Sequence, residues 1–555
     1  MLAFFEEVCY TYNILNEEGD FMALAKQERV EIPPHCVRVP NGKNVYIHYT
    51  LRAYRNEKGQ PTNERVSIGK LDQETGMLIP NTRYYELFQK QAPLPMPEYI
   101  RDCGVFAAFR GVVEDLGLDK LLRKHFPGKA EELLTVAQYM LGEGNVMYYL
   151  PDWQETKLSF GKEQLSASAM SRLFAGIDSK SRIEFFNDWV KKRKEQEFIA
   201  YDVTSISSYG KGLVNAEWGY NRDKEKLPQI NLGMYYGEES LLPLYYRIYP
   251  GSIPDKAHLK YMAEDTGLLS RKRIKFVMDR GFYSAENLQY LVEKGCRFII
   301  ALPGTLKYCR ELIDRHRDEI VNKSECYLGP EKPYGKSYDV SELGFRMRVH
   351  VYYDPEKAAH DGRLLHEEIA KLERELSEME EPPARVLHYD RYFFINRSKD
   401  GKLAFRRNSA AIDKALAQCG FFLIAETDFK KTTAEILDIY RRRDVVEKSF
   451  DDLKNELDMR RLYVHSDAVA EGKAFVSFLA LIVRSRMHNL LQSYMSERHF
   501  TFKKILLELD KAKLVISADR LNGCRLLNPT TKTQKDILEV LAIPLDSLSD
   551  VNSVC

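Results

Sequence analysis

A short stretch from Asp438 to Lys454, DIYRRRDVVEKSFDDLK, carries side chains that are able to bind phosphate and a metal ion. On an ideal helix with about 100° per residue, Tyr440, Arg443, Glu447 and Lys454 fall within roughly 60° of arc. The phenol, the guanidinium and the ammonium suit a phosphate, whereas the carboxylate suits one only if a cation lies between them. The spacing therefore predicts a helix face that holds a metal ion and the phosphates around it.

Two aspartates lie within or at the end of apolar stretches that are predicted to be strands. Asp202 lies late in one such stretch, in YDVTS, and Asp279 closes FVMD before RGFY. A carboxylate in such a place is costly unless it is paired or binds a cation. Each aspartate alone also fits a strand-end cap or a turn residue. Together with Glu447 they predict three carboxylates that converge on one site.

Three such carboxylates suit the cleavage or joining of a phosphodiester bond. This reaction requires that the entering and the leaving oxygen be stabilised together, and two divalent cations about 3.5–4 Å apart do so. Mg²⁺ and Mn²⁺ prefer oxygen ligands, which Asp202, Asp279 and Glu447 supply. We therefore expect a site for two ions, with Mg²⁺ or Mn²⁺ as the cofactor.

The elements that must position these residues follow one another in an informative order. EFIAYDVTSIS, QINLGMYYG and LPLYYRIYPG predict three strands, and RIKFVMDRGF, AENLQYLVEKG and RFIIALPG predict a strand, a helix and a strand. This is the order of an α/β fold with an RNase H-like core. The helix that carries Glu447 comes only after a long interval, and Thr432 with Glu435 forms a capping box at its start. Because long structureless loops are rare in compact domains, the interval predicts a mixed α+β insertion subdomain.

These patterns predict six regions along the chain. They are a β-rich N-terminal DNA-binding domain (1–98), a helical DNA-binding or linking region (99–196), the first part of the core (197–304), the insertion (305–430), the glutamate helix with the following helix (431–490) and a C-terminal helical region (491–555). The proline-rich QAPLPMPEY at 91–99 is typical of a linker.

Charge and composition narrow the class of protein. The chain has 82 basic and 81 acidic residues in 555, so net charge does not indicate a nucleic-acid partner and only local patches can. One such patch is 36–70, where two predicted strands carry mainly basic residues; it fits a DNA-contact module and, equally, the solvated face of a small β domain. Nine scattered cysteines without a CxxC pair argue against zinc and disulfides and favour a reducing compartment.

Targeting and membrane signals are not found in the sequence. The N-terminal MLAFFEEVCY lacks the basic region of a signal peptide. The longest apolar run, AFVSFLALIV at 474–483, is too short to span a bilayer and predicts a buried helix. We expect a soluble, cytoplasmic protein without a membrane partner.

The spacing Tyr440-x2-Arg443-x3-Glu447-x6-Lys454 resembles the YREK signature of insertion-sequence transposases of the IS-four superfamily. YDVTS and MDRGFY resemble the two aspartate motifs of that family, and GYNRDKEKLPQINLGM and YRIYPGSIPD are most similar to its IS-sixteen-thirty-four branch. The resemblance covers about 160–490. The resemblance makes the assignment of Asp202, Asp279 and Glu447 more specific, because the signature and its flanking segments both match that family.

The resemblance implies a DDE transposase with an RNase H-like core and an insertion before the glutamate helix. By this resemblance, Asp202, Asp279 and Glu447 are the metal ligands, and Tyr440, Arg443 and Lys454 contact transposon-end phosphates near the cleaved bond. The implied reaction is cut-and-paste transposition on double-stranded DNA, both transposon ends and target. The implied assembly is a homodimer, and the implied location is the nucleoid of a bacterium or archaeon.

Several alternatives remain open at this point. Asp451 lies only about 40° from Glu447 on the helical wheel, one turn further on, and is a rival ligand. Asp223 and Asp255 lie in turn-rich segments, where a structural turn role is the simpler interpretation. The protein is alternatively an RNase H-like nuclease that cuts without strand transfer, or a domesticated transposase that binds DNA without cutting it.

Overall fold

The computed structural model divides the chain into two compact units, Met1–Ile100 with Val515–Arg525 and Arg101–Leu514 with Leu526–Cys555. The structure describes residues 29–42, 44–55, 59–88, 97–161, 164–193, 198–210, 212–254, 257, 259, 261, 275–379, 389–397, 403–517, 524–526 and 530–544. Most of the linker predicted at 91–99 lies outside these ranges.

The first unit contains an antiparallel sheet with a short helix. Its strands, in the order β1-β2-β3-β4, are β1 (Cys36–Asn41), β2 (Asn44–Arg55), β3 (Pro61–Leu71) and β4 (Leu78–Pro80), followed by helix α1 (Thr82–Leu87). Ile47, Ile68 and Leu78 form the core together with Tyr84 and Tyr85 of the helix. The strand pair predicted within 44–71 is confirmed. The basic residues of 36–70 that the structure describes are exposed: Arg38, Arg52, Arg55, Arg65 and Lys70.

A strand, β5 (Pro97–Asp102), precedes the helical part of the second unit. The helices are α2 (Gly104–Leu116), α3 (Leu118–His125), α4 (Ala130–Glu143), α5 (Leu150–Thr156), α6 (Ala167–Ala175) and α7 (Ser179–Arg193). The helical character predicted from about 104 to 195 is confirmed over the described residues. Phe126, which follows α3, and Phe185 and Phe186 of α7 contact Phe475 in a later helix.

The predicted strand order then appears within one large mixed sheet. The first members are β6 (Phe198–Ser207), β7 (Gln229–Gly237), β8 (Pro243–Pro250), β9 (Lys275–Met278), helix α8 (Ala285–Glu293) and β10 (Arg297–Leu302). Strands β6, β9 and β10 are parallel neighbours, whereas β7 and β8 extend the sheet antiparallel to β6. All residues of β6 and β7 are buried, which explains their nearly continuous apolar runs.

The sheet continues into the region predicted as an insertion. Helix α9 (Lys307–Ile320) leads to β11 (Tyr334–Val340), β12 (Met347–Tyr353) and, later, β15 (Phe421–Glu426). The eight strands lie in the order β11-β12-β15-β10-β9-β6-β7-β8. The fold is therefore mixed α/β, and its main sheet crosses the boundary that we predict at 304/305.

Between β12 and β15 a smaller α+β segment has a core of its own. It contains helix α10 (Pro355–Glu378), the hairpin of β13 (Phe393–Arg397) with β14 (Leu403–Arg407), and helix α11 (Ser409–Leu416). Ile369, Leu372 and Leu376 of the long helix pack against Phe393 of the hairpin and Ile412 of the short helix. The apolar residues of α10 therefore face this core, and the segment has the mixed α+β character that the sequence predicts for the insertion.

The chain beyond residue 430 is mostly helical. It forms α12 (Thr433–Arg442), α13 (Asp444–Asp451), a π-helix (Asp452–Glu456), α14 (Asp467–Arg498), α15 (Phe502–Leu509), β16 (Lys513–Ser517), β17 (Cys524–Leu526) and α16 (Lys532–Val540). The apolar run 474–483 lies in α14 and is buried throughout, as predicted. Among the described helices, none combines the length and apolarity needed to cross a membrane.

Candidate active site

The pairing of two parallel strands positions the two aspartates. Ala200 in β6 lies opposite Val277 in β9. Asp202 lies two residues after Ala200, and Asp279 lies two residues after Val277. Because both strands run in the same direction, the two aspartates come to the same level and to the same side of the sheet. Asp202 is buried, with 9% of its surface exposed, and Asp279 follows the last residue of β9 and is half-buried.

Helix α12 is fixed to the same region of the sheet. The capping box is present: the Thr432 side chain accepts from the Glu435 backbone N–H, and Glu435 accepts from the Thr432 N–H. Ile436, Leu437 and Ile439 are buried in a cluster with residues of the sheet, among them Phe198, Val277 and Ile299. The next residue after this apolar face, Tyr440, donates from its Oη to Oδ1 of Asp279 over 3.2 Å.

Arg443 links the helices to all three carboxylates. Its Nη2 donates to Oε1 of Glu447 over 2.7 Å, and its guanidinium lies 5.5 Å from the centre of the Tyr440 ring. Burial alone would lower the pKa of Arg443, but Tyr440 and the neighbouring carboxylates hold that pKa above its ordinary value; the carboxylates are those of Glu447, Asp279 and Asp202. The Arg443 side chain is 8% exposed, and within the described part of the chain its Nε and Nη1 make no hydrogen bond.

The three carboxylates have different environments. Burial raises the pKa of Asp202 to about 6, against the opposing effects of Arg222, of the Val203 N–H that its Oδ1 accepts, and of Arg443. Arg222 Nη1 lies 3.6 Å from Oδ1 of Asp202. The side chain of Glu447, by contrast, is 54% exposed. The negative charge of buried Asp202 is thus only partly offset by its neighbours, and Glu447 is exposed to solvent. A cation between the two carboxylates would stabilise both charges.

The three side chains offer carboxylate oxygens, which are the ligands that a hard divalent cation prefers. They do not form a finished site: among the described residues, no group of three His, Cys, Asp or Glu side chains is close enough to hold a metal ion. Arg443 and Arg222 provide positive charge beside these carboxylates. Binding of a metal by all three therefore requires the Arg443–Glu447 contact to rearrange.

Lys454 corrects the prediction of one continuous helix face. The regular helix is interrupted at Arg443, whose N–H bonds to the Tyr440 carbonyl three residues back, and Lys454 lies in the π-helix. Its Nζ bonds to Oδ2 of Asp223 over 2.7 Å. Arg484 binds both ends of the same π-helix, Asp452 and Glu456, each over 3.0 Å. These distant ion pairs explain why the segment departs from the ideal spacing.

The remaining candidates occupy distinct places. Asp451 accepts from the Asn455 side chain, and Arg442 pairs with Glu238. Asp255 lies outside the described residues. Sequence reasoning missed Arg222, although it lies beside Asp223 in the YNRDKEK segment that the sequence singles out. A turn-rich segment gives no local signal of which side chains reach the sheet.

Comparison with known proteins identifies the family. The model of the family described as "Transposase DDE domain" matches residues 193–483, just over half of the chain. No curated protein matches the sequence. Among solved structures, the chain is similar to "Cryo-EM structure of piggyBac transposase synaptic complex with hairpin DNA (SNHP)", with 8% identity and a TM-score of 0.34 over 81% of this chain and 79% of that one, a likeness too weak to carry an argument. The chain belongs to the Transposase DDE domain family and is a DDE-class transposase.

Proposed function

We propose that this chain is an insertion-sequence transposase of the IS-four superfamily, of the IS-sixteen-thirty-four branch, with an RNase H-like core. It cleaves DNA at the inverted-repeat ends of its element and joins them to target DNA in a cut-and-paste reaction. It acts as a homodimer on the nucleoid of a bacterium or archaeon. The observation that supports this proposal best is the parallel register of Ala200 with Val277, because Asp202 and Asp279 each follow two residues later.

The three carboxylates are the proposed ligands of two Mg²⁺ or Mn²⁺ ions. When bound, such ions supply Lewis-acid stabilisation of the attacking and leaving oxygens. Tyr440 orients Asp279 through its hydrogen bond. Arg443 restrains Glu447 through Nη2. Its Nε and Nη1 are buried and make no hydrogen bond within the described residues, so a phosphate at the cleaved bond would satisfy them once it enters the site.

Lys454 is a further proposed phosphate contact, and its geometry differs from that of Arg443. Its side chain is 10% exposed and is held by Asp223, which is 21% exposed. The pair leaves the charge of the ammonium largely compensated. A phosphate therefore competes with Asp223 for Lys454.

The proposal is tested with the full chain and linear DNA that carries inverted repeats found beside the gene. With Mg²⁺, strand cleavage at the repeat ends and joining to a plasmid are expected. Asp202→Asn, Asp279→Asn and Glu447→Gln should each abolish both products while DNA binding persists. Asp451→Asn, one helical turn from Glu447, is the matched control and should remain active.

Three results would contradict parts of the proposal. Full cleavage by any one triad variant removes that residue from the site. Cleavage without joining identifies a nuclease of the same fold. Binding to end DNA with no Mg²⁺-dependent product identifies a protein that holds DNA without cutting it.

A further inference from the structure

The connection between β6 and β7 brings charged side chains to two residues of the proposed site. Within residues 221–225, which we call the connecting segment, Arg222 Nη1 lies 3.6 Å from Oδ1 of Asp202. The next residue, Asp223, accepts at Oδ2 from Nζ of Lys454 over 2.7 Å. Asp202 is a proposed metal ligand, and Lys454 is a proposed phosphate contact. Two adjacent residues of one segment therefore pair with one group for each ligand.

The charges of the two side chains have the signs of the two ligands. The Arg222 guanidinium is a cation beside a carboxylate that would bind a metal ion, and the Asp223 carboxylate is an anion beside an ammonium that would bind a phosphate. Asp202 and Lys454 are buried, and Arg222 and Asp223 are half-buried. Because water screens such partly buried charges weakly, each contact opposes the approach of a ligand with the same charge.

Further contacts fix the connecting segment against the rest of the fold. The Asn221 side chain donates from Nδ2 to Ser207 Oγ over 3.1 Å and accepts at Oδ1 from the Asp223 N–H over 2.8 Å. Glu225 accepts at Oε1 from Nη2 of Arg461 over 2.9 Å. Since one short turn carries both the cation and the anion, we expect that loss of either contact weakens the other.

Each ligand must displace one of these contacts. A divalent ion at Asp202 would lie close to the Arg222 guanidinium, where like charges repel strongly. A phosphate at Lys454 competes with Asp223 for the ammonium. Displacement of the connecting segment by one ligand thus exposes the group that binds the other, and the two binding events should favour each other.

We propose that the connecting segment is an autoinhibitory contact, in which Arg222 substitutes for a metal ion and Asp223 substitutes for a DNA phosphate. This inference rests on the proposed function and adds the regulation of its site. The free protein binds either ligand weakly, and metal and DNA bind cooperatively because each releases the segment for the other. The coupling is reciprocal: DNA raises the affinity for metal by the factor by which metal raises the affinity for DNA.

Binding of Mn²⁺ alone to the full-length protein, without DNA, tests the release of Asp202. In a titration followed by electron paramagnetic resonance, Asp223→Asn should raise the affinity for Mn²⁺ about fivefold, because it loosens the segment that holds Arg222. Direct electrostatics predicts the opposite sign, since the substitution removes a negative charge. Asp451→Asn removes a negative charge outside the segment and should not raise the affinity. An unchanged or lower affinity in Asp223→Asn would overturn the proposal.

Binding of end DNA in EDTA tests the release of Lys454. Measured by fluorescence anisotropy, Arg222→Gln should raise the affinity for DNA about fivefold, because the segment then holds Asp223 less firmly against the ammonium. Loss of a positive charge by itself weakens binding to a polyanion. Arg441→Gln, a control at a residue that bonds to the Glu331 carbonyl, should show only that weakening or no change. Equal or weaker binding by Arg222→Gln would contradict the proposal.

Hydrogen exchange of the wild type tests the same movement without any substitution. The N–H groups of Asp223 and Glu225 both bond to Oδ1 of Asn221, so they should be protected in the free protein. Mn²⁺ alone, and end DNA in EDTA, should each increase deuterium uptake in the peptide that contains the connecting segment. Unchanged uptake with a ligand that does bind would mean that the segment is not displaced, and the proposal would fail.

The same measurements separate this inference from the proposed function. If Asp202→Asn binds Mn²⁺ as tightly as the wild type, the assigned metal site fails, and the autoinhibitory contact fails with it. If Asp202→Asn loses Mn²⁺ while Asp223→Asn gains no affinity, the metal site remains and the autoinhibitory contact alone fails.

Discussion

Tyr440 Oη donates to Asp279 Oδ1 over 3.2 Å, which joins the helix preceding Glu447 to the end of the strand that carries the second aspartate. Burial raises the pKa of Tyr440 to about 12, so the phenol keeps its proton and remains a donor at neutral pH. The bond therefore aligns two elements that are 161 residues apart in the chain.

Replacement of Tyr440 by Phe tests this alignment. The ring still packs on the apolar cluster beneath α12, but the donor to Asp279 is lost. One such hydrogen bond contributes about 1 kcal/mol, so cleavage should fall roughly fivefold while the unfolding temperature changes little. Tyr440→Leu removes the ring as well and should cost more in both measurements. Equal cleavage by Tyr440→Phe and wild type would show that the bond does not position Asp279.

Replacement of Asp202 by Asn should stabilise the protein while it removes activity. Burial raises the pKa of Asp202 from 3.8 to about 6, so ionisation of the folded protein costs about 3 kcal/mol. Between these two values the folded state binds more protons than the unfolded state, and stability falls as the pH rises from about 4 to about 6.

The gain in Asp202→Asn should therefore be seen at pH 8 in EDTA and should vanish near pH 4. Urea unfolding of the variant and the wild type at both pH values measures it. A lower unfolding free energy of Asp202→Asn than of wild type at pH 8 would contradict the conclusion that burial of the Asp202 carboxylate destabilises the fold.

Lys473 gives a pH dependence of the opposite sign. It is 2% exposed, and its Nζ donates to the carbonyls of Asn145 and Leu462. Burial lowers its pKa to about 7, with partial compensation by Asp458. Between pH 7 and about 10.5 the unfolded chain keeps a proton that the folded chain releases, so stability should rise with pH in this window.

Comparison with Lys473→Met isolates this contribution. The difference in unfolding free energy between wild type and variant should rise with pH above 7, by at most about 1.4 kcal/mol per pH unit. Below pH 7 the difference should be constant. A flat difference across the whole range would mean that Lys473 stays charged in the folded protein.

The sequence predicted the local elements well and the distant pairings poorly. The strands that carry Asp202 and Asp279 are buried, so their apolar runs are unambiguous, and the capping box at Thr432 is a local signal. Neither signal depends on residues far away in the chain.

The rest depended on contacts that no local pattern records. Ideal helical spacing predicts Lys454 on one face with Glu447. In the structure, Asp223 binds Lys454, Arg484 binds Asp452, and the segment forms a π-helix. Likewise, β11, β12 and β15 add to the main sheet by antiparallel pairing, which hydrophobic periodicity alone does not specify. The five boundaries between the six predicted regions stay a prediction.

Truncation of the capping side chain tests the placement of the helix that leads to Glu447. Thr432→Ala removes the acceptor for the Glu435 N–H and should lower the unfolding free energy by about 1 kcal/mol. Thr432→Ser keeps that acceptor and is the matched control. If the alanine variant is as stable as the serine variant, the capping box contributes nothing to the fold.

The Lys454–Asp223 pair is tested by a double-mutant cycle. Asp223→Asn leaves a mostly buried ammonium without its partner, and Lys454→Gln leaves a carboxylate without its partner. The loss of unfolding free energy in the double variant should therefore be smaller than the sum of the losses in the two single variants. The coupling should exceed about 1 kcal/mol. Strictly additive unfolding free energies would mean that the contact contributes no interaction energy.

Manganese binding tests the central claim most directly, because it measures the convergence of the three carboxylates without relying on catalysis. Full-length protein bound to end DNA is titrated with Mn²⁺ and followed by electron paramagnetic resonance. About two ions per chain should bind to the wild type and to Asp451→Asn, with affinity lost in Asp202→Asn, Asp279→Asn and Glu447→Gln. Unchanged stoichiometry and affinity in any one of these three variants would contradict the account.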